Sequence, residues 1–455
     1  MSILQPYVEA VRVAIAAGGF ALLLGHARRP RAPDREPPLA GFHGRFDRTL
    51  LVLGLLAGLS WWNFLGFHFS GFVHTWEAYH YYLGGKYFRE VGYTRLYACS
   101  TVADAEDGLL SQARDRKIRN LETNLIGGTQ AVLLDPAACT GRFSAARWQA
   151  FKADVAWFRS RVTPPRWALM QMDHGYNGTP VWALLGTPLA NTGPASTSRI
   201  RTLALLDALL LVVMWACVAW VFGWRVLCVG LIYWGTNHLA RFHWTGGGFL
   251  RQDWLVLAVV GVCLIKRERM APAGFLLTWA ALIRIFPGLI VLGLLLKTLW
   301  DLWDGRGVTP GHRRFAFGAA LALVTLLPAA TWLAGGPGVW RDFLANTRKH
   351  WDTPLANYIG LKTIVAYEHD TRARLTAPLG LEEDPYKVWK DARRRVFAER
   401  RWLFAGLVAA FAVALALAVR REPDWVAAVL AVGLIPVLAE LTCYYYSILL
   451  TYGLL

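Results

Sequence analysis

Apolar segments long enough to cross a lipid bilayer recur along this 455-residue chain, and short basic loops separate many of them. A hydrocarbon core takes about 20 apolar residues per helix. Within it, backbone N–H and C=O groups find no water, so only helices or closed barrels span it. The composition agrees: 55% of the residues are hydrophobic and 17% charged, against roughly 25% charged in soluble domains. Length is therefore not a guide to domain count here. The windows of spanning length predict an all-α polytopic membrane protein of about 10–12 spans.

The net charge is +17. Its diagnostic clusters are Arg28-Arg29-Pro30-Arg31, Lys266–Arg269, His312-Arg313-Arg314 and Arg420-Arg421, all between apolar segments. That is the positive-inside pattern of cytoplasmic loops, with attraction to anionic lipid headgroups as a consequence. It is not the footprint of a nucleic-acid partner. Oriented on these loops, residues 1–67 form N-terminal helices around a basic loop. Residues 68–200 form a first large external loop, and residues 201–334 are membrane helices with a hairpin near 271–300. Residues 335–400 form a second external loop, and residues 401–455 are C-terminal membrane helices, one of them predicted over 424–441. Pro6–Leu24 lacks a positively charged start and a clear cleavage site, so it reads as a retained helix rather than a signal peptide. Ser447–Leu455 reads as the first half of a further span, as if the natural chain continued.

The polar stretch 68–200 opens on His74-Thr75-Trp76-Glu77-Ala78-Tyr79-His80-Tyr81-Tyr82. An acid among aromatics where a helix leaves the bilayer is costly to place. On a helix His74, Glu77 and Tyr81 share a face. Glu77 there either accepts a proton from a hydroxyl or pairs with a basic side chain at the interface. Trp76, Tyr79, Tyr82, Tyr87 and Phe88, mixed with Lys86 and Arg89, predict a helix lying at headgroup level, and Trp340–Trp351 is similar. Asp173-His174-Gly175-Tyr176-Asn177-Gly178-Thr179-Pro180 is turn chemistry, which either caps the loop or brings polar groups over the membrane. Arg241, His243, Arg251, Gln252 and Asp253 flank Gly246-Gly247-Gly248. External arginines oppose the positive-inside trend, so they bind phosphate, or else they snorkel or pair with Asp253. Arg284, beside Pro287, lies at a hairpin turn or faces a cavity. His350, Asn357, Lys362 and Glu440 add polar groups later in the chain, and Tyr444-Tyr445-Tyr446 reads as an aromatic belt. Cys99 and Cys139 share the polar loop. In an oxidising compartment they pair; otherwise they are two free thiols. No spacing suggests a metal cage, and no serine sits in a nucleophile elbow.

In four places the chain resembles the GT-C superfamily of integral-membrane glycosyltransferases, and within it the polyprenyl-phosphate-mannose-dependent α-mannosyltransferases of glycosyltransferase family 87. Trp76-Glu77-Ala78-Tyr79 through Tyr97 is similar to the family's first external loop. Tyr176-Asn177-Gly178-Thr179-Pro180 with Leu184–Pro188 resembles its Tyr-x-x-Pro segment. Arg251-Gln252-Asp253 and Ala281–Pro287 resemble its Gln-containing helix start and basic-x-x-Pro segment, and Asn357–Leu361 resembles an external loop. The resemblance implies a GT-C-like helix bundle in a bacterial inner membrane, with the site facing the periplasm. It implies inverting, metal-independent transfer of a sugar, mannose in the nearest family, from a polyprenyl phosphate to a hydroxyl on a glycan or glycolipid. No cofactor is implied. Glu77 stands where the family usually has an aspartate base. Arg251 and Arg284, with Arg241 behind them, are implied to hold the donor phosphate. His74, Tyr81, Asp173, His174, Tyr176, Gln252, His350 and Asn357 are implied to position substrate. A lipid-linked oligosaccharide ligase is the nearest rival reading. A lipid or sugar transporter is a second, although the chain shows no repeated halves. A phosphoethanolamine-type transferase would normally carry a soluble domain with metal ligands.

Overall fold

The computed structural model describes residues 5–28, 44–67, 71–376 and 383–455. Arg29 and Arg31 of the first basic cluster lie outside that set. Ten helices matter for placing the site. They are α1 (Gln5–Ala27), α2 (Gly44–Trp61), α3 (Thr197–Phe222), α4 (Trp224–Thr236), α5 (Asp253–Lys266), α6 (Met270–Ile283), α7 (Val291–Trp303), α8 (Pro310–Leu333), α9 (Arg401–Val419) and α10 (Asp424–Ala431). Among the described residues, five helices are long and apolar enough to cross a membrane: Tyr7–Ala27, Thr197–Phe222, Phe286–Trp303, Pro310–Leu333 and Arg401–Val419. The protein is thus a nearly all-helical membrane protein. The outer surfaces of these helices carry large apolar side chains such as Val212, Phe317, Val324 and Leu417. A water-facing helix would place polar residues there. Exposed Trp220 and Trp303 lie at one end of the bundle, and exposed Trp332 and Trp402 at the other, as at the two interfaces of a bilayer.

Connectivity sorts the two ends. Arg225, Lys266–Arg269, His312–Arg314 and Arg420-Arg421 all fall at one end of their helices. Polar contacts tie that end together: the Arg225 ion pair to Asp47 through two contacts of 2.8 Å, the Arg420 ion pair to Asp304 at 3.0 Å, and the approach of His312 Nε2 to Asp424 at 3.3 Å. The polar regions 71–196, 334–376 and 383–400 all sit at the opposite end, where the first touches the others. Asn346 donates to Asn177 Oδ1 at 3.0 Å, and the Ile126 amide donates to the Glu383 carbonyl at 2.8 Å. Helices α4, α5 and α6 have only 13, 14 and 14 residues. At 1.5 Å per residue they reach about 20 Å, well short of the roughly 30 Å hydrocarbon core. Their shortness leaves a hollow under these polar regions.

Four expectations are corrected. The stretch Tyr79–Phe88 does not lie at headgroup level: Tyr79, Tyr82, Tyr87 and Phe88 are buried. In the first polar region Tyr79, Tyr82 and Tyr87 pack against the helix Ala145–Arg159, whose Phe151 and Phe158 are equally buried, and Phe88 packs against Tyr93 and Tyr176. Buried Asp154 of that helix binds Lys86 Nζ at 2.7 Å and Tyr87 Oη at 2.8 Å, so the polar tips of the aromatic stretch are satisfied inside. The break near Arg284 exists, but its arms diverge, α6 packing on α5 and α8 while α7 packs on α10 and α9. The segment 424–441 is not one span. It bends after Ala431, runs on as Leu434–Leu438, and ends in a short strand, Leu441–Thr442, paired antiparallel with Tyr358–Ile359. The last segment is not a half-span either. Cys443–Leu454 is a 3₁₀-helix packed on α4, and at about 2.0 Å per residue it extends roughly 24 Å. In the first polar region Cys99 and Cys139 form a disulfide with Cα atoms 5.3 Å apart.

Candidate functional site

The hollow is a cavity of about 800 Å³, within the range of small-molecule sites. It is built from four backbone devices. The first is the start of the polar stretch. His74 caps the short helix Thr75–Ala78, its Nδ1 accepting from the Glu77 amide at 3.3 Å, while Nε2 lies 3.1 Å from the His243 carbonyl. A π-turn, Tyr79–Leu83, follows; such wide turns re-aim side chains and recur at functional sites. Glu77 and Tyr81 both line the cavity.

The second device is the loop before α5. The His74 amide donates to the Gly247 carbonyl at 2.8 Å. Gly247 has φ +70°, and a Cβ there would collide with the Phe72 carbonyl, so only glycine allows the two loops to meet. Asp207, buried in α3, accepts the Arg251 amide at 2.8 Å and the Gln252 amide at 3.3 Å. So fixed, Arg251 places Nε 2.6 Å from Glu77 Oε2. Its guanidinium stacks 4.1 Å from the Tyr81 ring centre, and Nη2 donates to Tyr444 Oη at 3.2 Å. Glu77 Oε1 has no partner among the described residues.

The third device is the break between α6 and α7. Arg284 leaves the helix end and donates from Nη2 to Tyr81 Oη at 3.0 Å and from Nη1 to the Asn177 carbonyl at 3.3 Å. Its guanidinium lies 5.6 Å from the Tyr445 ring centre. Buried Arg251 Nη1 and Arg284 Nε have no hydrogen-bond partner among the described residues. Two guanidinium groups thus share one tyrosine and keep donors in reserve.

The fourth device is the turn Asp173–Asn177. Trp76 Nε1 donates to Asp173 Oδ2 at 2.5 Å, and the Gly175 amide donates to Tyr97 Oη at 2.8 Å. The His174 and His350 rings meet edge to face with centres 5.8 Å apart. Burial pushes both imidazoles down to about 3, helped by Arg119 near His174 and Lys349 near His350; His74 is pushed down to about 3 for the same reason. All three are neutral at pH 7. Burial opposes the charge of Asp173, but His80, His174 and the Trp76 indole together hold its carboxyl below the usual value. Tyr81 is raised by burial, against the pull of Arg251 and Arg284, so it remains a phenol.

Glu77, Arg251, Arg284, His74, Tyr81, Asp173, His174, His350 and Asn357 therefore meet around one cavity. Three predicted residues do not. Arg241 turns away to pair with Glu9 of α1 at 2.8 Å and to contact His238. Gln252 is buried and donates to Thr245 Oγ1 at 2.9 Å, bracing the glycine loop. Tyr176 is wedged behind the wall against Tyr93, Tyr81 and Trp182. Conversely, Tyr444 and Tyr445, expected in a belt, line the cavity. Asp207 and Asn346 carry positioning contacts that were not anticipated; for Asp207 the signal was present, since a carboxylate inside an apolar helix demands a partner. Part of the remaining wall is apolar, with Ile283, Phe286, Leu289 and Leu438, beside polar Arg166, Glu440 and Thr442, and Ile285 and Leu438 are exposed on the outer surface. Among the described residues no group of three His, Cys, Asp or Glu is placed to hold a metal ion. No family model, curated protein or solved structure matches the chain.

Proposed function

We propose that this protein is a membrane glycosyltransferase that moves a hexosyl group from a polyprenyl phosphate to an acceptor hydroxyl. One observation carries the reading: Glu77, Arg251 and Arg284 converge on Tyr81 in a cavity with an apolar stretch of wall that reaches the lipid-facing surface. Guanidinium forks suit phosphate oxygens, and unsatisfied buried donors favour an anionic ligand. The apolar wall suits the isoprenoid beside its phosphate. In the reaction, the acceptor oxygen attacks the anomeric carbon and forms the new C–O bond. The bond from that carbon to the phosphate oxygen breaks, and its electron pair leaves with the polyprenyl phosphate. The hydroxyl proton passes to the free oxygen of Glu77, and a single displacement inverts the anomeric centre. Arg251 and Arg284 stabilise the charge growing on the leaving phosphate, the kind of preorganised electrostatics that dominates such steps. Because the basic loops lie at the far end of the bundle, the positive-inside rule supports a site on the periplasmic face of a bacterial inner membrane.

Proteoliposomes supplied with radiolabelled polyprenyl-phosphate hexose test this. Wild type transfers label, and Glu77→Gln loses about 10²–10⁴-fold, the usual contribution of a general base. Undiminished transfer by Glu77→Gln removes the base role. Donor binding without any transfer, across a panel of acceptors, moves the protein to the transporter or ligase readings.

A further inference from the structure

Two kinds of polar surface share the cavity, and the proposed donor uses one of them. The other is the end formed by Asp173, His174, Asn177 and His350 between Trp76 and Trp351. Its groups are uncharged or acidic apart from Arg166, which also lines the cavity, lies 4.5 Å from the Trp76 ring centre and faces the Asp173 charge. The two imidazoles carry no charge at pH 7, and Asp173 would repel an anion. Two cations behind this end are engaged elsewhere: Arg119 donates to the Met172 and Asn124 carbonyls, and Lys349 to the Leu121 carbonyl. Two ring nitrogens, His174 Nδ1 and His350 Nε2, are buried without hydrogen-bond partners among the described residues. Buried polar atoms of this kind are normally satisfied. The exposed indole of Trp351 and a set of uncharged donors and acceptors suit a polyol, whose ring presents C–H faces and hydroxyl edges.

We infer that this end is a binding subsite for an uncharged sugar, the acceptor in the proposed transfer. The assignment as acceptor rests on the transferase reading; the sugar subsite itself does not. Its position fits. His174 and Asn177, whose carbonyl takes a hydrogen bond from Arg284, are three residues apart, so their Cα atoms lie within about 11 Å. Trp76, the chain neighbour of Glu77, donates to Asp173 Oδ2, so the subsite lies beside the proposed base.

The test is saturation-transfer NMR on the full-length protein in nanodiscs, with methyl hexosides as neutral probes, methyl glucuronide as the anionic counterpart, and ³¹P titration with a short-chain prenyl phosphate. Wild type is expected to show transfer to the neutral hexosides and at least tenfold less to the glucuronide. His174→Ala and His350→Ala are expected to lose hexoside binding at least tenfold while prenyl phosphate binding stays within twofold, and His174→Asn, which keeps a polar group of similar size, to recover it. Preference for the glucuronide, no hexoside signal in wild type, or hexoside binding unchanged in both alanine variants overturns the inference. So does loss of hexoside and prenyl phosphate binding together that the asparagine variant fails to rescue. Hexoside and prenyl phosphate binding with no sugar transfer leaves the subsite standing and removes the transferase reading instead.

Discussion

At the scale of single residues, Arg251 has the most to lose. It holds an ion pair to Glu77, a stack on Tyr81 and a hydrogen bond to Tyr444 with one planar group. A lysine keeps the charge but not the fork or the flat face. Leaving one buried partner unsatisfied costs about 1–3 kcal/mol. Arg251→Lys should therefore raise the donor KM roughly ten- to a hundredfold, with a smaller effect on kcat if the arginine mainly holds the ground-state phosphate. Steady-state kinetics on the reconstituted protein separates the two, and an unchanged KM would mean that Arg251 serves only to hold Glu77. Of the two alternatives for Glu77, the structure shows the pairing with a basic side chain; the proton-accepting role belongs to the proposed reaction, and Glu77→Gln tests it.

At the scale of elements, the site depends on how helices end. Asp207 is the clearest case, a carboxylate inside α3 whose two oxygens hold the amides that open α5. Asp207→Asn replaces one acceptor with a donor facing an N–H. It should cost about 1–3 kcal/mol and lower Tm by a few degrees, with Asp207→Ala at least as damaging. Thermal unfolding in detergent measures this, and an unchanged Tm would show that the α5 start is held elsewhere. The break at Arg284 is similar in logic. Because α6 stops at Ile283, its next side chain turns inward to Tyr81 and Asn177 instead of facing lipid. The π-turn at Tyr79–Leu83 performs the same service for Tyr81.

For the whole molecule, pH and sidedness are the readable properties. The imidazoles of His174, His350 and His74 lie near 3 in the fold, against an ordinary value near 6.5, because burial disfavours their charge. Between those values the unfolded chain binds protons that the native state refuses, so stability rises with pH across that window. It is fully present above about 6.5 and lost progressively as pH falls towards 3. Tm should drop between pH 7 and pH 5, and the His174→Asn, His350→Asn double variant should flatten that slope. An identical slope in the variant would place the titration elsewhere. Sidedness follows from the basic loops. In right-side-out bacterial cells, a membrane-impermeant thiol reagent should label a cysteine introduced at Leu344 and not one introduced at Arg421; the reverse pattern would turn the molecule over.

Run length and loop charge were enough to read a helical membrane protein, the helix break at Arg284, and the gathering of basic loops at one end. These are sums over neighbouring residues, and burial in lipid depends on such sums. The same reasoning placed Glu77, Arg251, Arg284, Asp173, His174 and His350 near one another, because Arg251 and Arg284 are expensive polar groups at one end of apolar helices and the other four belong to the polar stretches at that end. Only the tertiary structure decided which of these end-of-helix groups face the cavity. Arg241 stands ten residues before Arg251, yet it turns to Glu9, and Gln252 turns to Thr245. Tyr444 and Tyr445 point inward where a lipid belt was expected. Successive side chains on a helix are set about 100° apart, so a one-residue change in where a helix ends, or a single wide turn, moves a group from lipid to cavity. That position is settled by long-range contacts such as Asp207 to Arg251 and Gly247 to His74, which no local stretch of sequence contains.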